Sequence, residues 1–272
     1  MDLQLKDRVV VVTGAGSGVG AAVARAFCEE EARTVFTDID ARGVRHALKG
    51  YEHRGVSIVC DVSDQKEVSR LLKEVENRFG TLHILVNNAA VNTADYIENI
   101  RKCDLERVLN INIRGYVYTT MEAIPLMKKA GYGRLIYINS GSGLKASAGM
   151  SLYSASKYFN RGFAISSALE LGQFNITANS ICPSDIYPQS QTQGEENLVP
   201  KSWMNESLLR ISLEKENVSS LDELIEKRNQ KNPMHRSCTA DDVANLALFL
   251  ASDFAGFING QSIGLNGGAI PY

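Results

Sequence analysis

The chain has 272 residues, of which 44% are apolar and 22% charged, with a formal net charge of −2. That length buries one substantial core, and the composition is an ordinary globular balance. The near-neutral charge gives no electrostatic footing for nucleic acid or an anionic membrane as a partner. Residues 8–13 read as a buried strand on the run Val9 to Val12, and 18–31 as a helix. Strands follow at 34–38 and 56–60. Residues 64–79 form an amphipathic helix with Val68, Leu71, Leu72 and Val75 on one face. A fourth strand is expected at 82–87. Residues 104–129 read as one long helix, which Pro125 should bend or break near its end. A strand at 134–139, a helix at 153–173 and a strand at 176–181 come next. A late helix spans 239–251, with Thr239 and Asp242 placed as a capping box, and 261–265 is the last strand. Short β-branched runs alternating with helices imply an α/β fold, a parallel sheet covered on both faces.

Residues 184–236 break this rhythm. They hold no strand pattern, and helical pieces are expected at 201–213 and 220–229. Leu208, Leu209, Ile211, Leu221, Leu224 and Ile225 recur at helical spacing, which favours an ordered helical lid over a loop. Cys28, Cys60, Cys103, Cys182 and Cys238 are odd in number and contain no C-x-x-C, so neither a disulfide framework nor a zinc site is suggested. No apolar run approaches the roughly 20 residues that span a bilayer. Residues 1–6 lack a signal-peptide pattern, so a cytoplasmic location is expected.

The first strand runs into Thr13-Gly14-Ala15-Gly16-Ser17-Gly18-Val19-Gly20. Glycines here permit a tight turn, close approach of backbone to a pyrophosphate, and close helix–strand packing. The phosphates then meet free N–H groups at the helix N-terminus. Asp38 closes the second strand, where a carboxylate accepts hydrogen bonds from the adenosine ribose hydroxyls. It would repel the 2′-phosphate of NADP, and neither Thr37 nor Ile39 beside it offers a basic group. NAD is therefore the expected cofactor.

Tyr153 and Lys157 stand four residues apart, one turn of a helix, and project from the same face. A phenol with an ordinary pKa near 10 is a poor base at neutral pH. A neighbouring ammonium should lower it, so that Tyr153 gives a proton to a carbonyl or takes one from an alcohol. Ser140 ends a buried strand and could hydrogen-bond the substrate oxygen. Asn112 lies in an apolar helix, where a buried amide needs partners: either it is bonded to backbone, or it holds water in a proton relay.

These residues, with Asp61-Val62, Asn87-Asn88-Ala89-Ala90 and Asn179-Ser180-Ile181-Cys182-Pro183, resemble the short-chain dehydrogenases/reductases in order and spacing over nearly the whole chain. The resemblance implies a single Rossmann-type, doubly wound parallel sheet of seven strands. It implies a catalytic tetrad of Asn112, Ser140, Tyr153 and Lys157. Lys157 would also bind the nicotinamide ribose. Asp61 and Val62 would contact adenine, Asn88 and Ala89 would line the cofactor cleft, and Pro183 and Ile186 would face the nicotinamide. Homotetramers or homodimers are usual in the family. Two positions depart from its pattern: Ser184 replaces a usual Gly, and Pro188 a usual Thr.

The segments 138–143, 233–243 and 260–268 look like those of sugar and polyol dehydrogenases, in particular sorbitol-6-phosphate 2-dehydrogenases. Lys145, Lys201, His235 and Arg236 could meet an anionic substrate near the lid. A neutral polyol would instead want Ser142, Asn205 and Gln189. Trp203, Leu208 and Leu209 keep a steroid or acyl substrate open. The leading reading is an NAD-dependent enzyme interconverting a secondary alcohol and a ketone, with Ser142, Lys145, Trp203 and Arg236 at the substrate. A 3-oxoacyl-thioester or hydroxysteroid reductase and a non-catalytic dinucleotide-binding regulator are the alternatives.

Overall fold

The computed structural model describes residues 2–187 and 205–270. Its first strand, β1 (Val9–Thr13), shows why four successive valines are needed. Val10 and Val12 enter one apolar cluster, and Val9 and Val11 the other. Successive strand side chains point to opposite faces, so a strand covered on both sides is apolar throughout. The same division holds in β4 (Ile84–Asn87), where Ile84 and Val86 join one cluster and Leu85 the other.

The remaining strands are β2 (Arg33–Asp38), β3 (Gly55–Val59), β5 (Gly133–Ile138), β6 (Ile176–Pro183) and β7 (Ser262–Leu265). All pair in parallel in the order β3-β2-β1-β4-β5-β6-β7, a seven-stranded sheet. This is the Rossmann-type fold expected from the sequence. The order reverses between β1 and β4, so a crevice opens at their C-terminal ends. Helices α1 (Gly18–Glu29) and α9 (Ala240–Ala251) cover one face; α3 (Gln65–Phe79), α5 (Gly115–Ala130) and α6 (Ser151–Leu171) cover the other. Thr239 and Asp242 form the expected capping box at the start of α9. A short helix between β2 and β3, α2 (Ala41–Leu48), has no counterpart in the sequence reading; Asp40 caps it, accepting from the Arg42 N–H.

The expected helix over 104–129 differs in a telling way. It is α4 (Lys102–Val108), a π-helical turn at Leu109–Arg114, then α5. Pro125 lies inside α5 on its exposed face and does not end it. The carbonyl one turn earlier belongs to exposed Met121, at the solvent face of the helix, where losing a backbone bond costs least. The irregularity falls instead around Asn112, whose side chain is fully buried.

Beyond β6, the described part of the segment contains α7 (Glu206–Glu216) and α8 (Leu221–Lys231). Asn205 and Ser220 cap them, accepting from the N–H groups of Leu208 and Glu223. Residues 201–204, the start of the first expected helical piece, lie outside the described residues, as do Pro188, Gln189, Lys201 and Trp203.

Candidate active site

The glycine turn links β1 to α1. Gly14 and Gly18 adopt positive φ of 65° and 54°, a conformation that glycine alone enters without strain. At Gly20 the constraint is space: an added Cβ would stand 2.1 Å from the Gly14 carbonyl oxygen. Thr13 holds the neighbouring loop. Its hydroxyl accepts from the N–H groups of Asn88 and Ala89 at 3.0 and 3.1 Å, and the Asn88 amide donates to the Thr13 carbonyl at 2.9 Å. Ser17 is the N-cap of α1 but makes no side-chain cap bond, and the first turn, including Val19, has no acidic residue. A helix start with no side-chain cap and no acidic residue in its first turn fits the diphosphate of a dinucleotide.

Asp38 stands at the end of β2, half-buried beside this turn. Its carboxylate accepts from the Gly16 N–H at 3.1 Å and from the Asp40 N–H at 3.0 Å. It thus braces the turn as well as presenting a negative edge to the crevice. Asp61 accepts from the Ser63 N–H and hydroxyl at 2.9 and 2.7 Å. Val62 is buried against Gly115, where an added Cβ would lie 2.8 Å from its Cγ2.

Asn112 bonds protein partners through both ends of its side chain. Its side-chain oxygen accepts from the Val91 N–H at 2.8 Å. Its amide donates to the Val91 carbonyl at 2.9 Å and to the Ser156 hydroxyl at 3.1 Å. Ser156 in turn donates to the Tyr153 carbonyl at 2.7 Å. The side chain is spent on protein partners, so Asn112 ties the loop after β4 to the turn of α6 that carries Tyr153.

Ser140, Tyr153 and Lys157 converge at the end of β5. Ser140 is the extended residue just past that strand; its oxygen accepts from the Ser142 N–H at 3.1 Å, and its hydroxyl also bonds the Tyr153 phenol. Lys157 is buried; its ammonium donates to the Ile138 carbonyl at 2.9 Å and to the Tyr116 hydroxyl at 3.4 Å. It stands 5.5 Å from the centre of the Tyr153 ring. The electrostatics correct the sequence expectation that Lys157 lowers the phenol. Burial dominates and pushes Tyr153 well above its ordinary value; the Ser140 hydroxyl opposes this, and Asp185 and Cys182 add to it. Burial also pulls the Lys157 ammonium from 10.5 down to about 7. The chain's own groups therefore keep Tyr153 a neutral phenol that holds its proton, beside an ammonium that is easily neutralised.

Residues 8–198 match the short chain dehydrogenase family, and residues 209–269 match a second family described as enoyl-(acyl carrier protein) reductase. The chain belongs to the short-chain dehydrogenase family. Its relatives align over almost their full length. A D-beta-hydroxybutyrate dehydrogenase of Rhizobium meliloti is 32% identical, with 96% of this chain and 98% of the relative covered. A 3-oxoacyl-[acyl-carrier-protein] reductase of Thermotoga maritima is 28% identical over 98% and 100%. A galactitol 2-dehydrogenase of Agrobacterium fabrum is 29% identical over 98% and 98%. The chain is thus an oxidoreductase of CH–OH groups in a family that uses nicotinamide dinucleotides.

In this short-chain dehydrogenase, β6 ends at Pro183, and Ile186 forms an isolated bridge with Cys238. A cavity of about 370 Å3 opens between this strand end and α7 and α8; Ser142, Ser184, Asp185, Leu208 and Arg236 are among its walls. Ser142, through its bond to Ser140, joins the cavity to the Tyr153 cluster. Arg236 is engaged elsewhere, paired with Asp242 through two nitrogens at 2.6 and 2.9 Å. Lys145 is exposed and lies outside the cavity wall.

Two contributors escaped the sequence reading. Arg228 of α8 donates to the Asp185 carboxylate at 2.8 Å and to the Tyr187 hydroxyl at 2.7 Å, clasping the chain just past β6. Tyr116, which receives the Lys157 ammonium, donates to the Ile138 carbonyl at 2.9 Å. Tyr116 is visible in the sequence only as one more aromatic in an apolar helix, and Arg228 only as one charge among many.

Proposed function

We propose that the protein is an NAD-dependent oxidoreductase that interconverts a secondary alcohol and a ketone on a polyol, sugar or sugar phosphate. The convergence of Ser140, Tyr153 and Lys157 beside the glycine turn carries this reading. In reduction Tyr153 gives its proton to the carbonyl oxygen while Ser140 hydrogen-bonds that same oxygen. In oxidation the phenol must first lose its proton, and the Ser140 hydroxyl is the group of the chain that favours the phenolate. Asn112 keeps the Tyr153 turn in place. The dinucleotide, when bound, supplies the hydride acceptor or donor; Gly14, Gly18 and Gly20 would admit its diphosphate and Asp38 its ribose.

Asp38 supports NAD over NADP, since its negative edge disfavours a 2′-phosphate. The segment from 184 to 236 serves as the substrate lid. The galactitol 2-dehydrogenase relative supports a polyol. The 3-oxoacyl reductase relative favours an acyl-thioester as the second reading. A cytoplasmic homotetramer or homodimer completes the proposal; among the described residues no helix is long and apolar enough to cross a membrane. The test is NADH formation over a panel of polyols, sugar acids and their phosphates, alongside NADH binding followed by fluorescence. Tyr153→Phe should keep binding and lose turnover. Full turnover in that variant would defeat the mechanism.

A further inference from the structure

Helix α7 turns one face toward the cavity, and that face is Leu208, Ile211, Ser212 and Lys215. Ile211 and Ser212 are buried, Leu208 is half-buried, and Lys215 is exposed at the rim of the cavity one turn further on. Four cations line the cavity. Arg228 pairs with Asp185 at 2.8 Å, Lys231 with Glu216 at 2.6 Å, and Arg236 with Asp242 at 2.6 Å. Lys215 has no carboxylate partner among the described residues. Its ammonium donates to the Ala148 carbonyl, in the loop that leads into α6. The two carboxylates of the cavity wall, Asp185 and Glu216, are both engaged by other cations. Burial, with repulsion from Arg228, holds the Lys215 ammonium below its ordinary value, as expected of a cation lacking a counter-charge.

We propose that Lys215 receives an anionic group of the substrate, a carboxylate or a phosphate, with the Ser212 hydroxyl one turn before it as a second donor. This rests on the reading of the cavity as the substrate site of an alcohol dehydrogenase, and narrows that substrate to a charged one. The ammonium has two further N–H donors beyond the one given to Ala148. An anion would complete its coordination and cancel its charge. The anion would then sit on the lid side of the cavity while the reacting oxygen lies toward Ser142 and Ser140.

The test compares matched substrates on wild type and Lys215→Met, which keeps the apolar stem and removes the charge. The pairs are 3-hydroxybutyrate against 2,3-butanediol, and sorbitol 6-phosphate against sorbitol. Wild type should favour the charged member of one pair, and that pair tells carboxylate from phosphate. A charge-assisted hydrogen bond of ordinary strength predicts a loss of about 10- to 100-fold in kcat/KM for that member, mostly in KM. The neutral member should change less than about twofold, and Lys215→Arg should restore most of the loss. Equal losses on both members, or no preference for charge in wild type, overturns the proposal. If wild type oxidises none of them, the dehydrogenase reading is what fails. The anion site is then read by thermal shift with inorganic phosphate or acetate at saturating NAD. Stabilisation of wild type that Lys215→Met loses upholds the site, and identical behaviour of the two proteins removes it.

Discussion

Asn112→Asp tests the joint between the loop after β4 and α6. The replacement has the same shape, but one of its oxygens must take the place of the amide that now donates to the Val91 carbonyl at 2.9 Å. The other still accepts from the Val91 N–H at 2.8 Å. A carboxylate in this fully buried position faces a carbonyl oxygen, so its protonated form is favoured and its folded pKa rises far above the ordinary value of about 3.9. For a group raised in this way the folded state binds more protons than the unfolded one. Stability is retained below the unfolded pKa and lost as pH rises toward the folded one. A rise of about 3 units, within the range for buried carboxyls, corresponds to about 4 kcal/mol lost between pH 4 and pH 7. Urea unfolding of wild type and variant at one protein concentration, at pH 5 and pH 8, should register about 2.5 kcal/mol of that loss. Asn112→Ala is the control: it also destabilises, but its deficit relative to wild type should not change with pH. An Asn112→Asp deficit equally flat across that range would mean that the amide is not buried between the partners described.

Gly20→Ala would set a methyl 2.1 Å from the Gly14 carbonyl oxygen, a backbone atom that cannot yield cheaply. It should cost about 1–3 kcal/mol in denaturation and weaken NADH binding about tenfold or more; unaltered NADH affinity would refute the tight-turn argument. Asp38→Ala removes both the acceptor of the Gly16 N–H and the negative edge, so NAD should bind more weakly and discrimination against NADP should relax. Preserved discrimination in a direct comparison of NADH and NADPH binding would place the ribose elsewhere. His83 accepts from the Val9 N–H at 2.9 Å and is pushed from 6.5 down to about 4, chiefly by burial. With its folded pKa depressed, it contributes stability present above pH 6.5 and lost as pH falls toward pH 4. Its partial exposure limits this to about 2 kcal/mol, and His83→Gln should flatten the acid limb of the unfolding curve.

The sheet was legible because its signal is local. Val9 to Val12 or Leu85 between Ile84 and Val86 can satisfy two apolar faces only inside a parallel sheet. The glycine turn was legible because steric need selects glycine at Gly14, Gly18 and Gly20. Tyr153 and Lys157 were legible because one helical turn separates them. The electrostatics of that pair were not, since burial is set by distant chain and outweighs the neighbour visible in sequence. The π-helical turn at Asn112 leaves no periodic trace, whereas Pro125 gives a strong local signal whose effect is absorbed at an exposed helix face. The clasp of Arg228 on Tyr187 joins residues 41 apart and has no local pattern. The end of α7 was placed too early, at 213; the helix runs to Glu216 and stops where Asn217 takes a left-handed φ of 51°. That difference left Lys215 outside the expected helix.

Asp185 belongs to two machines. It holds Arg228 of α8, and its charge also opposes ionisation of Tyr153. While the clasp is made, the guanidinium offsets that charge. Removing the clasp, as in Arg228→Leu, would leave the carboxylate uncompensated near the phenol and make the phenolate harder to form. The packing of α8 beside the cavity and the ionisation of Tyr153 are therefore joined through one side chain.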